Sequence, residues 1–261
     1  MIGGPVLRDV SVVIPALNEE STVAGVVAAI LSDEPGEVLV IDSGSRDATA
    51  ARARAAGARV LTREEALPGV PVRPGKGEVL WRGVAAARGT AVVFIDADLS
   101  DPEPGMIRAL IAPFDDPRVH LVKGDHRRPL GDDIDGGGRV TRLTALPLLR
   151  ALNPELAHIR QPLTGEYAIR RRTAVDLPFA TGWGVEAGLL LDVASRFGPA
   201  AVASADLGIR RHRNKPTQDL EPVADAVAAV ILSRNGIDPV GVCTTPERPP
   251  LSVLYPAATD G

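Results

Sequence analysis

The run Phe94-Ile95-Asp96-Ala97-Asp98 places two carboxylates one residue apart at the end of an apolar stretch. If that stretch is a strand, its side chains alternate, so Asp96 and Asp98 share a face and repel unless a positive charge intervenes. A divalent cation is the obvious candidate: Mg²⁺ or Mn²⁺ takes oxygen ligands and completes its shell with water or substrate phosphates. The chemistry this suits is transfer of an activated group from a nucleotide donor whose diphosphate rests on the metal. Read alone, the same pair equally ends a strand or caps the next helix.

Other groups of this kind fall after apolar runs or in loops. Pro15-Ala16-Leu17-Asn18-Glu19 follows Val12-Val13-Ile14, where its backbone and Asn18 or Glu19 can read a base or ribose; Asn18 equally suits the N-cap of the next helix. Asp42-Ser43-Gly44-Ser45 follows Val38–Ile41 and can hold nucleotide oxygens or simply turn the chain. In Pro74-Gly75-Lys76-Gly77 the glycines let the backbone approach a ligand while Lys76 offers a point charge to phosphate. Gly77 stands where an ATPase loop needs Ser or Thr, and no G-x-G-x-x-G fingerprint follows the first strand.

Positive charge gathers in Arg210-Arg211-His212-Arg213-Asn214-Lys215, where arginine forks suit phosphate and His212 can complete a metal shell beside Asp98; a solvated turn is the alternative. Arg139 and Thr141, after the triplet Gly136-Gly137-Gly138, can bind an anion at a helix start, with Arg127-Arg128 nearby as further phosphate charge or as solubility. Glu186 precedes an apolar helical run and either favours the helix start or accepts a hydroxyl in a cleft. Trp183 suits a sugar ring or the core, Glu166 and Tyr167 are weaker candidates, and His120, His126 and His158 lack ligand-like spacing.

These groups need a frame. The chain has 261 residues, of which 45% are hydrophobic and only 3% aromatic, so its core is aliphatic and suits helices layered on parallel strands. Short apolar runs at Val12–Ile14, Val38–Ile41, Val60–Leu61, Ala91–Ile95 and Val119–Val122 alternate with helical spacing at 19–31, to about Ala56, at 78–88 and at 103–114. This predicts a mostly parallel sheet flanked by helices, an α/β fold with ligands at the carboxyl ends of its strands. Beyond that, 123–138 reads as a polar loop, 139–152 as a helix disturbed at Pro147, 167–169 and 200–209 as strands, 184–197 and 217–232 as helices, and the tail after Gly241 as irregular.

A formal charge of −4 gives no general attraction to nucleic acid. The single cysteine, Cys243, excludes an internal disulfide framework and a thiolate cluster. Met1 to Pro5 carries no basic leader, and no stretch reaches the roughly 18 apolar residues of a membrane span. A cytoplasmic protein with no stable membrane insertion is expected.

The ordered set of Val12–Glu20, Asp42–Ser45, Pro74–Val79, Asp96-x-Asp98, Gly136–Thr141, Gly182–Glu186 and Arg210–Asn214 resembles the glucosyl-3-phosphoglycerate synthases, retaining glycosyltransferases of the GT-A type, over roughly residues 11–237. The resemblance implies the nucleotide-diphospho-sugar transferase fold and glucose transfer from UDP-glucose to D-3-phosphoglycerate with Mg²⁺ or Mn²⁺. It implies Pro15, Leu17, Asn18, Glu19, Ser43, Lys76, Asp96 and Arg210 as nucleotide-sugar contacts, and Asp98 with His212 as metal ligands. It makes Gly138, Arg139, Thr141 and Asn214 the acceptor site, and Glu186, Asp98 and Lys76 the catalytic set, with Glu186 orienting the acceptor hydroxyl. By the same resemblance, 1–122 is the nucleotide-sugar half, 123–237 the acceptor half of one domain, 238–261 a tail, and the assembly a homodimer.

Two departures stand out. Lys123–Arg128 lacks the aromatic segment common before the paired arginines, and Trp183 replaces a common tyrosine. The neighbouring activity is mannosyl-3-phosphoglycerate synthesis from GDP-mannose; a polyprenyl-phosphate transferase or a non-catalytic nucleotide-sugar sensor are more distant readings. The C-terminal end is short for the family, which bears on the dimer contact.

Overall fold

The computed structural model describes residues 4–129, 133, 136–210, 216–241 and 246–255. Nine strands are present among them: β1 (Val10–Ala16), β2 (Glu37–Asp42), β3 (Arg59–Thr62), β4 (Ala91–Phe94), β5 (Leu121–Arg127), β6 (Tyr167–Arg170), β7 (Phe179–Ala180), β8 (Val202–Ile209) and β9 (Glu247–Arg248). Seven form one sheet in the order β3-β2-β1-β4-β6-β5-β8, and β7 pairs with β9 in a separate antiparallel ribbon. Within the large sheet only β6 runs against its neighbours. The chain winds from β1 outward through β2 and β3 and then returns to β4 on the other side of β1. The carboxyl ends of β1 and β4 therefore border a topological switch point, where open sheets of this kind bind ligands.

The helices are α1 (Val23–Leu31), α2 (Thr49–Ala55), α3 (Arg63–Ala66), α4 (Lys76–Ala86), α5 (Met106–Ile111), α6 (Leu146–Leu152), α7 (Arg171–Ala174), α8 (Val185–Phe197), α9 (Glu221–Arg234) and α10 (Leu251–Leu254). Strand alternation divides them between two cores. Val10, Val12 and Ile14 of β1 pack with Val23, Val26 and Ile30 of α1 and Ile107 and Leu110 of α5 on one face. Val13 turns to the other face, with Leu80 and Trp81 of α4, Leu190 of α8 and Ile231 of α9. None of the helices among the described residues is long and apolar enough to cross a membrane.

Five local expectations are corrected. The helix expected from residue 19 begins at Val23, because the Glu19 and Glu20 amides donate to Thr49 Oγ1 at 2.8 Å and Asp47 Oδ2 at 3.3 Å and hold the segment on the head of α2. Asn18, at φ 56°, is consequently a turn residue and not an N-cap. The first strand is not confined to Val12–Ile14: it starts at Val10 and passes through Pro15 to Ala16, in register with Asp42. Residues 123–127 are strand and not loop, since β5 continues to Arg127 between β6 and β8. The helix over 139–152 contains a π-helical stretch, Thr141–Ala145, and Pro147 then sits in the first turn of α6, where its missing N–H is least costly.

The tail is not irregular where it is described: β9 and α10 close over α4. Trp81 Nε1 donates to the Pro249 carbonyl at 3.1 Å. Glu78, fully buried, accepts from Arg82 Nε at 2.7 Å and from Arg248 Nε and Nη2 at 2.5 and 2.7 Å. Burial opposes ionisation of Glu78, yet the two arginines hold its carboxyl below the ordinary value. We expect Glu78→Gln to lower stability by about 3–5 kcal/mol at neutral pH, since it leaves two buried guanidiniums short of a counter-charge. A depressed carboxylate stabilises the fold above its unfolded pKa of about 4.3 and loses that contribution as pH falls through its folded value. Thermal unfolding should therefore show the largest gap between the two proteins above about pH 5 and a shrinking gap below about pH 4; a gap independent of pH would contradict the assignment.

Candidate active site

A cleft of about 600 Å³ opens at the switch point. Its walls come from the end of β1 (Pro15, Ala16, Leu17, Glu19), the turn after β2 (Ser43), the head of α4 (Gly75, Lys76), the segment after β4 (Asp96, Ala97, Asp98), Gly138–Thr141, Trp183 and Glu186 before and within α8, and Arg210 beyond β8. Of the residues expected to contact nucleotide-sugar or acceptor, Pro15, Leu17, Glu19, Ser43, Lys76, Asp96, Gly138, Arg139, Thr141 and Arg210 are brought together here, together with Asp98 and Glu186. Asn18 is not in the wall; its Oδ1 accepts from the Arg46 amide at 2.9 Å and its own amide donates to Ser45 Oγ at 3.0 Å, so it supports the turn. His212 and Asn214 lie outside the described residues.

The floor is a set of carboxylates interleaved with cations. Lys76 Nζ lies 2.7 Å from Asp96 Oδ1 and 2.8 Å from Glu186 Oε1. Arg210 Nη2 lies 3.0 Å from Glu166 Oε1, 3.1 Å from Asp96 Oδ2 and 3.3 Å from Asp98 Oδ1. Burial alone would strip Lys76 of its charge, but Asp96 and Glu186 outweigh it and keep the ammonium above its ordinary pKa. Burial likewise opposes a charged Asp96, and Lys76 with Arg210 more than offset it, so the carboxyl falls well below the usual range. Arg210 is also raised: three carboxylates overcome the cost of its burial. Arg128, half-buried in the same cleft as Arg210, is pushed down to about 10 by desolvation and like charge.

Local sequence explains how these groups meet. A Cβ on Gly77 would stand 1.8 Å from the Ala180 carbonyl oxygen, and one on Gly75 2.2 Å from that of Thr181. These glycines therefore serve the approach of α4 to the 180–182 backbone, not that of the backbone to a ligand. The Gly77 and Glu78 amides donate to the Gly182 and Thr181 carbonyls at 3.3 and 3.1 Å, which ties Lys76 to the segment leading into Glu186. Gly165 plays the same part opposite: a Cβ there would lie 2.1 Å from Asp96 Oδ2.

Some of these residues carry no signal in the sequence. Lys123 is buried in β5, with its Nζ 4.3 Å from the centre of the Tyr167 ring and 3.4 Å from the Thr164 carbonyl. Burial pushes its ammonium down to about 7. Glu166, by contrast a weaker candidate from the sequence, is buried and accepts from Thr164 Oγ1 at 2.9 Å besides pairing with Arg210. Arg63 and a ceiling of Leu220, Val223 and Val227 also line the cleft. Only a paired-strand reading of Lys123-x-x-x with Tyr167 would have singled out Lys123, because charged residues are seldom placed in a central strand.

In charge the cleft differs from the whole. Arg63, Lys76, Arg128, Arg139 and Arg210 face Glu19, Asp96, Asp98 and Glu186, five cations against four carboxylates, in a chain of formal charge −4. That excess suits anionic ligands. Asp98 supplies the hard oxygen a divalent ion needs, its side chain one-third exposed toward the cleft. Among the described residues no cluster of three metal-ligating side chains exists.

Residues 11–177 match the family described as Glycosyl transferase family 2. The chain belongs to that family. Within the family it is similar to glucosyl-3-phosphoglycerate synthases: 48% identical to that of Mycolicibacterium smegmatis over 95% of this chain and 91% of the relative. It is 51% identical to that of Mycobacterium tuberculosis over 91% of this chain and 77% of the relative. A crystal structure of the M. tuberculosis enzyme with Mn²⁺, UDP-glucose and phosphoglyceric acid superposes with a TM-score of 0.88 at 47% identity, covering 94% of this chain and 91% of the other. A second, with Mn²⁺, UDP and glucosyl-3-phosphoglycerate, has the same TM-score at 46% identity and the same coverage. The sheet described above is thus the GT-A sheet of family members of known structure.

Proposed function

We propose that this protein transfers glucose from UDP-glucose to D-3-phosphoglycerate, releasing UDP and glucosyl-3-phosphoglycerate. The observation that carries the reading is the single cleft that joins Asp98 and Lys76 to Glu186 and, across it, Arg139 and Thr141. The complexes formed by the M. tuberculosis relative, with donor and acceptor in one and both products in another, support the same pair of substrates.

The residues divide the work. Residues 1–122 bind the donor: the β1 end and Ser43 take the nucleoside, and Lys76 offers its ammonium to the diphosphate. Residues 123–237 bind the acceptor through Gly138, Arg139, Thr141 and Asn214. Asp98 with His212 would hold a Mg²⁺ or Mn²⁺, which would supply positive charge to the departing diphosphate. Glu186 accepts the acceptor hydroxyl's hydrogen bond and aims its oxygen at the anomeric carbon. The bond from that carbon to the β-phosphate oxygen breaks and the bond to the acceptor oxygen forms on the same face, the hydroxyl proton leaving with the phosphate. Glu186 orients and does not become a covalent partner; configuration is retained because the acceptor oxygen joins the face that the diphosphate leaves. A cytoplasmic location belongs to this reading, in line with the lone cysteine.

The decisive experiment sets UDP-glucose, GDP-glucose and GDP-mannose against 3-phosphoglycerate with and without Mg²⁺ or Mn²⁺. UDP-glucose should give the highest kcat/KM; turnover with GDP-mannose alone would replace the assignment by mannosyl transfer. In the same assay Arg139→Ala should raise the KM for 3-phosphoglycerate by about 10- to 100-fold, the cost of one charge-assisted contact, and leave kcat within about threefold. An unchanged acceptor KM would remove Arg139 from the acceptor site.

A further inference from the structure

The buried carboxylates of the floor differ in how many cations they touch. Glu166 keeps Arg210 at 3.0 Å, and Asp96 keeps both Arg210 at 3.1 Å and Lys76 at 2.7 Å. Glu186, only 3% exposed, has Lys76 alone among the described residues, at 2.8 Å. In the reading of the function given above, on which this inference rests, a diphosphate arrives at Lys76 and competes for its ammonium. Asp96 then retains a partner and Glu186 does not. An ionised carboxylate at that depth with no counter-charge is costly and tends to take up a proton, and a protonated Glu186 is a poorer acceptor for the hydroxyl it must orient.

A second buried ammonium borders the same cluster, reaching the Thr164 carbonyl beside Glu166. Lys123 is 1% exposed, held over the Tyr167 ring at 4.3 Å and against the Thr164 carbonyl by one long contact of 3.4 Å, with no carboxylate inside 4.0 Å among the described residues. The groups acting on it are Glu186 on α8, Lys76 at the head of α4, Glu166 before β6 and Asp96 after β4. Tyr167 lies beneath it, its own strand carries Asp125 and His126, and β8 opposes it with the uncharged Ser204. Nothing in the resting protein needs this charge, and packing alone would be served by methionine. We propose that Lys123 is a positioning residue for Glu186, the reserve ammonium that keeps the Glu186 carboxylate charged while Lys76 engages the donor diphosphate.

The two lysines thus exchange roles. In the resting site Lys76 neutralises Glu186 and repels Lys123, whose ammonium burial pushes down to about 7. Once the diphosphate draws Lys76, that repulsion falls and negative charge is added, so Lys123 takes a proton from solvent. Binding of the nucleotide is then linked to proton uptake, and kcat falls as pH rises through the ionisation of Lys123 in the loaded enzyme.

The test compares the full-length protein with its Lys123→Met variant, and adds Lys123→Leu as a second uncharged replacement. At pH 7 we expect kcat to drop about 100-fold, the scale of a misdirected reacting group, with the KM for UDP-glucose changed by less than about threefold. Between about pH 7 and 9 wild-type kcat should fall, whereas the residual kcat of Lys123→Met, which lacks the titrating ammonium, should not follow that decline. The thermal midpoint of the variant should equal or exceed that of the wild type, because methionine removes a poorly bonded buried charge. Parallel pH profiles, or kcat retained in both variants, would overturn the proposal. If both variants are unstable, titration calorimetry of wild-type protein with UDP and Mn²⁺ in two buffers of different ionisation enthalpy decides: close to one proton taken up at pH 8 supports it, and none overturns it. Absence of wild-type turnover with UDP-glucose and 3-phosphoglycerate would instead refute the substrate reading, and the proton count on UDP binding would still judge Lys123.

Discussion

Asp98→Asn should reduce Mn²⁺-dependent turnover by about 10³-fold, close to 4 kcal/mol of transition-state stabilisation, and leave the protein folded. The substitution keeps volume and removes the charge that a divalent ion requires. Its structural cost is small, because Asp98 is one-third exposed and Arg210, 3.3 Å away, keeps Asp96 and Glu166 at 3.1 and 3.0 Å. A shift in stability of within about 1 kcal/mol is expected, as for other partly exposed pairs. Initial rates over a Mn²⁺ titration, together with Mn²⁺ binding in the presence of UDP followed by electron paramagnetic resonance, separate the two effects. Wild-type turnover at saturating Mn²⁺ would move the metal away from Asp98. A large loss of stability would make Asp98 chiefly a counter-ion of Arg210.

Asp98 was legible because its surroundings are local: an apolar run, a strand end and a second acid two residues before it all stand within Phe94–Asp98. The same holds for Lys76 and Glu186, each at the start of an amphipathic helix. The parallel half of the sheet was equally plain, since β1, β2 and β4 are aliphatic runs buried on both faces. What could not be read depends on contacts far apart in sequence. Gly165 meets Asp96, Lys123 meets Tyr167, and Arg248 meets Glu78 across 170 residues. The polar composition of 123–128 suggested a loop, but partners on both sides, β6 and β8, made it strand. Tertiary pairing of that kind overrides local propensity. The two-residue ribbon of β7 and β9 is too short for any periodicity to announce it.

Those distant contacts share a purpose. Gly75 and Gly77 bring α4 onto the 180–182 backbone, Glu78 and Arg248 lock the tail over the same helix, and Gly165 leaves room for Asp96. Each fixes the place of Lys76 relative to Asp96 and Glu186. The groups proposed as catalytic are supplied by short motifs, while their mutual distances are set by packing that no single motif contains.

Lys76→Met is the most direct test of that arrangement. It removes the one ammonium lying 2.7 Å from Asp96 and 2.8 Å from Glu186, and with it the charge offered to the leaving diphosphate. We expect kcat to fall by about 10³-fold, as when a principal donor to developing negative charge is lost. A rise confined to the KM for UDP-glucose would show instead that Lys76 binds ground and transition states alike. Because Asp96 and Glu186 hold the Lys76 ammonium above its ordinary value, the lysine does not titrate in the working range, and changing pH should not mimic the mutation. Stability supplies an independent reading. In the wild type the depressed Asp96 carboxyl stabilises the fold above its unfolded pKa of about 3.9, and this is lost as pH falls through the folded value. Without Lys76, Asp96 keeps only part of that depression through Arg210, and Glu186 loses its adjacent cation. The variant should therefore fall furthest below wild type above about pH 4, and the gap should narrow as pH falls from about 4 toward about 2, where the wild type gives up the contribution of Asp96. Unfolding curves that stay a constant distance apart over that range would mean that Lys76 is held by packing and not by the two acids.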